Sequence, residues 1–204
     1  SDISVDSPTN NFATFNPLTK RPAANGLLSE GNLKYTSHTG DSNVFATMGI
    51  LPSQKVYFEV YLQANSNQNF IGISNLIDNG DGAFAKGGSE TGSYGRKVRG
   101  AGTVQQYFNN GSGTDLGVNN VAVGVIVGVA VDNENGKVHY AFNNTWDSDA
   151  TDKNPAADVT GFNTSVTQFP QFSTDTPNNT VINIVNFGQD SSFAGNKTAQ
   201  GNQD

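Results

Sequence analysis

The chain contains no cysteine. A disulfide framework, a thiolate nucleophile and a cysteine-ligated zinc are therefore excluded, and packing has to stabilise the fold. Charged residues are also scarce, at 14% of 204 residues, and no apolar run approaches the ~20 residues of a membrane-spanning helix. We therefore predict neither a disulfide-rich miniprotein nor insertion into a membrane.

Positive charge is the scarcer sign. The 11 Lys and Arg residues stand against 18 Asp and Glu residues, which gives a net charge of −7 and a pI near 4.6. Nucleic acids attract clustered cations, so a nucleic-acid partner is not predicted. Arg96, Lys97 and Arg99 form a local cluster, which we expect to be a solvated loop because a phosphate-binding footprint usually spreads over a face.

The composition instead favours strands and turns. Asn, Ser and Thr side chains compete for backbone hydrogen bonds, and the 23 glycines lose the most entropy on ordering, so helices are disfavoured. The 13 Phe and 6 Tyr residues supply the core that disordered chains lack. All-β sandwiches reach about 200 to 250 residues as one unit, so a single domain over residues 1–204 is predicted.

Alternating apolar residues locate the strands. Val56, Phe58, Val60 and Leu62 fall on one face of the clearest of them. Strands are predicted at 56–62, 70–73, 121–131, 137–142, 169–173 and 180–187.

Glycine and proline refine this prediction. Gly72 removes a side chain where a neighbouring backbone can approach, and Pro170 indicates a strand start or an edge strand. The Asp/Asn/Gly cluster at 132–136 predicts a hairpin connection. Residues 78–102 and 143–168 are predicted to be long loops, so the chain reads as an antiparallel β-sandwich.

Several motifs, taken in order, resemble the SPRY domain, a concanavalin-like (jelly-roll) β-sandwich. They are YFEV at 57–60, IGI at 71–73, VGVAVD at 127–132 followed by NGK at 135–137 and YAFNN at 140–144, FP at 169–170, and VNFGQ at 185–189. The resemblance covers about residues 55 to 195, and residues 1–54 are expected to pack on that core as a flank. Asn144 replaces the usual glycine of the family's NG turn, and Tyr94 replaces the Trp of its SWG motif.

The flanking segments 5–18 and 192–202 resemble the borders of SPRY-type modules in bacteriophage structural and tail proteins. This implies a virion location and a fragment of a larger protein. It also implies a non-catalytic module that binds a protein or a host surface glycan through loops of the sandwich. Tyr94, Arg96, Arg99 and Trp146 are the ligand-binding candidates. An assembly module with no ligand of its own and a glycoside hydrolase remain as alternatives.

The residues themselves do not assemble a catalytic set. His38 and His139 lie in no metal or triad spacing, and alternation places His139 on the solvent side of its strand. Glycosidases need two carboxylates at a fixed separation. Glu59 is the only glutamate in a confidently predicted strand, where we expect it to hydrogen-bond across strands.

No cofactor is predicted, although calcium has oxygen ligands available. No loop matches the EF-hand pattern, and Asx turns explain the Asp/Asn-Gly clusters without an ion. The aspartates in predicted loops are Asp78, Asp81, Asp132, Asp147, Asp149 and Asp152.

Overall fold

The alternating segments fold into fourteen described strands. The computed structural model describes residues 11–20, 26–37, 41–66, 68–75, 92–98, 106–109, 112–115, 121–146, 159–175 and 179–198. The strands are β1 Gly26–Ser29, β2 Lys34–Ser37, β3 Ser42–Phe45, β4 Lys55–Ala64, β5 Asn69–Ser74, β6 Ser93–Val98, β7 Gln106–Asn109, β8 Ser112–Asp115, β9 Ile126–Asp132, β10 Lys137–Phe142, β11 Thr145–Trp146, β12 Val159–Thr160, β13 Phe169–Thr174 and β14 Val181–Asn186. A short 3-10 helix spans Pro17–Thr19.

The strands form two antiparallel sheets, as the prediction of a β-sandwich requires. The large sheet has the order β1-β2-β14-β4-β9-β10-β11, and β12 also pairs with β10. The small sheet has the order β3-β13-β5-β6-β7-β8. The segment 1–54, expected to pack on the core as a flank, contributes β1 and β2 to the large sheet and β3 to the small one.

Most predicted strands are confirmed with small shifts of their ends. The hairpin of β9 and β10 is antiparallel, with Val131 opposite Val138 and Val127 opposite Phe142. The apolar run at 121–131 is strand only from Ile126 onward. Gly124, with φ +90, leaves the extended conformation, so the first half of the run lies outside the sheet.

Pro170 begins a strand, as predicted, but the strand is not at an edge. β13 lies between β3 and β5, so of the two predicted possibilities the strand start holds and the edge strand does not. The Pro170 carbonyl accepts from the amide of Ala46, 2.9 Å away and just past the end of β3. Pro170 has no N–H to donate, and its nitrogen lies where the β3–β13 hydrogen-bond ladder ends. A central position in the sheet therefore costs little stability.

The two sheets bury their facing side chains in one apolar core. Strand β4 contributes Phe58, Val60 and Leu62, each 1% exposed or less, as its alternation predicts. Their neighbours in the core include Phe15, Val44, Ile71, Ile73, Val127, Val129, Val138, Tyr140 and Phe172. The Tyr140 hydroxyl donates to the Ile71 carbonyl at 2.8 Å and ties the two sheets together.

Polar side chains also bond between the sheets. Asn69 of the small sheet and Asn183 of the large sheet exchange two amide hydrogen bonds of 3.0 and 2.9 Å. A hydroxyl cluster joins Tyr35 to Ser42, and Ser42 to Ser37 at 3.0 Å. Because all these groups are buried, each needs its partner.

We expect alkaline pH to weaken the fold through Tyr35. Burial raises the pKa of Tyr35 from 10.0 to about 12, and the hydroxyl hydrogen bonds offset this only partly. The folded state thus holds the proton more tightly than the unfolded chain. Its contribution is complete below pH 10 and is lost as the pH rises toward 12, by about 3 kcal/mol.

Urea unfolding across this pH range measures the loss. The Tyr35→Phe variant is the control, since it has no phenol to ionise at this position and should show a shallower fall. Equal slopes for the two proteins would contradict the assignment.

Candidate functional site

Two of the predicted ligand residues lie inside the sandwich. Tyr94 and Arg96 belong to β6 and are 5% and 2% exposed. The Tyr94 ring centroid is 5.3 Å from that of Phe162, and the Arg96 guanidinium lies 4.8 Å from the Phe142 ring centroid. Arg99 lies outside the described residues. The expectation of a solvated loop was wrong for Arg96 and Lys97, because β6 is an inner strand of a sheet with both faces buried.

Trp146, the fourth predicted residue, is at the surface. Its side chain is 43% exposed on β11, on the outer face of the large sheet. The ring centroids of Tyr57 and His139 each lie 6.4 Å from that of Trp146, at interplanar angles of 62° and 87°. Tyr57 is itself 47% exposed. With Glu59, these three residues form what we call the aromatic patch.

Cross-strand register explains why four strands bring the patch together. Tyr57 on β4 is opposite Ala130 on β9, which is opposite His139 on β10. One row further along, Glu59 is opposite Gly128, then Ala141, then Trp146. Side chains in a row point to the same side of a sheet, so both rows contribute to one outer surface.

A two-residue turn brings Trp146 back over β10. Asn143 and Asn144 have φ values of +46 and +67, the pair of positive angles found in tight hairpin turns. Asparagine tolerates this conformation better than most residues. The departure of Asn144 from the family's glycine therefore leaves the turn intact.

Gly128 allows Tyr57 to lie down on the sheet. A Cβ atom at this position would be 2.7 Å from the Tyr57 hydroxyl and 3.2 Å from its Cε2. The close neighbour of this glycine is therefore an aromatic side chain. The ring covers the small residues of β9 and keeps nearly half of its surface exposed.

Glu59 is oriented by its neighbour on the same strand. The Tyr57 hydroxyl donates to Oε1 of Glu59 at 2.9 Å. The expected bond across strands was wrong, because residues i and i+2 of a strand lie on the same face and reach each other directly. Burial and then the bond to Glu59 raise the pKa of Tyr57, so its hydroxyl remains a donor.

His139 lies on the outer face, as alternation predicts, but is half-buried beneath Trp146. Burial, and then the charge of Lys137, lowers the pKa of His139 below 6.5, so the ring is neutral at pH 7. Its Nδ1 atom is buried and has no hydrogen-bond partner in the described part of the structure. An uncharged ring with an unused polar atom borders the patch.

The segment after β14 covers the neighbouring part of this face. The Phe193 ring packs on Tyr61 with centroids 5.9 Å apart, and the Lys197 ammonium lies 5.1 Å from the Tyr61 ring. Gln63 donates to Asn196 at 2.8 Å. This segment therefore borders the aromatic patch beyond Glu59 along β4.

The carboxylate of Asp132, in the β9–β10 hairpin, already bonds to other residues of the chain. It accepts bonds from the Asn135 amide and side chain at 2.9 and 2.8 Å and pairs with Lys55 at 3.3 Å. Burial acts to raise the pKa of Asp132, but these bonds outweigh it and lower the pKa to about 2. The other aspartates considered for calcium, and His38, lie outside the described residues.

No group of three or more His, Asp and Glu residues within the described ranges is placed to hold a metal ion. No helix in the same ranges is long and apolar enough to span a membrane.

Sequence reasoning singled out Trp146, but it gave Tyr57 no role, assigned Glu59 to a structural role and placed His139 on the solvent side of its strand. The available signal was the alternation of β4: its core-facing positions leave Tyr57 and Glu59 on the outer face. An outward-facing aromatic residue two positions from an outward-facing carboxylate is the sequence signal for the patch.

Comparison with known proteins identifies the architecture. No protein-family model and no curated protein matches the sequence. The SPRY domain of human HERC1 aligns at a TM-score of 0.58 and 12% identity, covering 84% of this chain and 96% of that domain. The PSpry domain of TRIM65 aligns at 0.58 and 15% identity, covering 85% of this chain and 89% of that one. The chain therefore has the fold of the SPRY β-sandwich.

Proposed function

We propose that this chain is a non-catalytic binding module that recognises its partner through the aromatic patch. The carrying observation is the exposure of Tyr57 and Trp146 on the outer face of the large sheet, with their ring centroids 6.4 Å apart. Aromatic residues are the most frequent anchors of binding surfaces, because they bury a large area at small entropic cost. The SPRY fold of the two aligned domains is compatible with such a role but does not assign it.

The same patch argues against a hydrolase. Glycosidases position two carboxyl groups roughly 5 to 10 Å apart. Glu59 is the single carboxylate of the patch, and one of its oxygens accepts from Tyr57 at 2.9 Å. Among the residues that the structure describes, no second carboxylate belongs to the patch, which supports a binding role in this proposal.

We further propose that the module belongs to a phage virion or tail-associated protein. This rests on the resemblance of segments 5–18 and 192–202 to the borders of phage modules. The partner is then a host surface glycan or a neighbouring virion protein. A purely structural role in assembly is the alternative, and it predicts no ligand for the exposed rings.

Binding of the labelled chain to a panel of bacterial envelopes and to purified virion proteins tests this function. We expect the Trp146→Ala and Tyr57→Ala variants to lose at least tenfold in affinity, about 1.4 kcal/mol, while remaining folded. Leu51→Ala is the matched control, because Leu51 is 52% exposed on a different part of the surface. Equal losses in all three variants, or undiminished binding in the first two, would refute the patch as the binding surface.

A further inference from the structure

We propose that the aromatic patch binds a neutral saccharide. This inference rests on the proposed function and names the class of ligand that the patch accepts.

The rings offer an apolar surface at the level of the sheet. Tyr57 lies against Gly128, and Trp146 projects from the row that contains Ala141. Because Gly128 has no side chain, the Tyr57 ring can lie close to the backbone of β9. Tyr57 and Trp146 are 47% and 43% exposed. An aromatic face of this kind packs on the C–H face of a pyranose ring, which is also flat and apolar.

The polar groups of the patch mainly accept hydrogen bonds. The Glu59 carboxylate has two oxygens, and Tyr57 uses one lone pair of one of them. The Nδ1 atom of His139 is buried, so Glu59 supplies the acceptor oxygens for a ligand. A suitable ligand therefore presents hydroxyl donors beside an apolar face, and a sugar combines these two features in a single ring.

Charge selects among sugars. The patch contains one carboxylate, and the charge of Lys137 acts on its His139 ring, so these two local charges oppose each other. The net charge of −7 of the whole chain then disfavours an acidic saccharide. A neutral sugar gains hydrogen bonds to Glu59 without this penalty. The guanidinium of a protein partner would also fit between Trp146 and Glu59, but its attraction would depend on charge and would weaken with salt.

The size of the open face favours a short oligosaccharide over a protein. Four strands carry the patch, and three spacings of about 4.8 Å make it about 14 Å wide. The segment around Phe193 and Lys197 borders it beyond Glu59 along β4. The two rows hold seven residues, whereas a stable protein interface involves about 20 to 30 residues on each side.

A glycan array probed with the full chain tests this inference, followed by calorimetric titration with the neutral oligosaccharide that binds best. We expect neutral glycans to bind and acidic ones not to bind, with an affinity that changes little between low and high salt. Trp146→Ala should weaken binding at least tenfold, and Leu51→Ala should leave it unchanged.

Gly128→Ala provides a second variant that does not remove an aromatic ring. The new methyl group would displace the free end of the Tyr57 side chain, which is a mobile group at the surface, so the fold should persist. We expect this variant to lose affinity as Tyr57→Ala does. Undiminished saccharide binding in both Gly128→Ala and Trp146→Ala would overturn the site.

The outcomes separate this inference from the proposed function. If a purified virion protein binds, is released by salt and is lost in Glu59→Gln, while no glycan binds, the saccharide is refuted and the binding module stands. Exclusive binding of acidic glycans refutes the neutral class. If neither glycans nor proteins bind the folded chain, both proposals fail.

Discussion

Replacing Gly72 with alanine is expected to destabilise the protein by about 3 kcal/mol or more, the upper end of overpacking penalties. A Cβ atom at this position would lie 2.0 Å from the Tyr94 carbonyl oxygen and 2.5 Å from the Gly95 Cα. Both atoms are backbone of β6, so no side-chain rotation relieves the contact. The two central strands of the small sheet would have to separate, and the Gly72–Gly95 pairing would be lost.

Chemical unfolding of Gly72→Ala and Gly31→Ala isolates the cause. Gly31 has φ +62 and no neighbouring atom within 4 Å of an added Cβ, so its replacement costs only the backbone strain of about 1 to 2 kcal/mol. We expect Gly72→Ala to be the less stable protein, or not to fold at all. A smaller loss in Gly72→Ala than in Gly31→Ala would show that the strands are not held this closely.

The strands of the large sheet were predictable because buried and exposed residues alternate along them. In β4, Phe58 and Val60 are buried, whereas Tyr57 and Glu59, which alternate with them, are not. This period of two is visible in the sequence. The hairpin between β9 and β10 carries its own turn residues. Local pattern and tertiary structure agree there, so strand positions followed from the residues alone.

The small sheet was harder to predict because its strands β5 and β6 are buried on both faces. Every residue of β5 and β6 is buried, including Ser74, Ser93 and Lys97. Polar residues in such strands give no alternation, and the group around Arg96 consequently looked like a solvated loop. Burial of this kind depends on what the rest of the chain places on the sheet, which periodicity does not encode.

The aromatic patch was only partly predictable for a different reason. Trp146 was identified as a candidate, but its neighbours are set by the register of β4, β9, β10 and β11 together. Sequence shows that Tyr57 faces outward; it does not show that Trp146 reaches it. The turn at Asn143 and Asn144 fixes that register, and its two positive φ values are not apparent from composition.

Arg96 provides the decisive contrast between a core residue and a ligand residue. Its guanidinium lies 4.8 and 5.9 Å from the ring centroids of Phe142 and Tyr140 in the opposite sheet. Desolvated contacts of this type are worth about 2 kcal/mol or more, and truncating a long buried side chain leaves a cavity that adds to the loss. We therefore expect Arg96→Ala to lower the free energy of unfolding by about 3 to 5 kcal/mol.

Chemical unfolding and ligand titration of the same variants separate the two roles of Arg96. Lys55→Ala is the control, since its ammonium pairs with Asp132 and Glu134 at the surface, where ion pairs contribute little to stability. Arg96→Met, which keeps most of the volume, should fall between the two. Because only 2% of Arg96 is exposed, the folded fraction of each variant should bind ligand normally. An Arg96→Ala protein of undiminished stability that no longer binds would instead place this residue in the binding site.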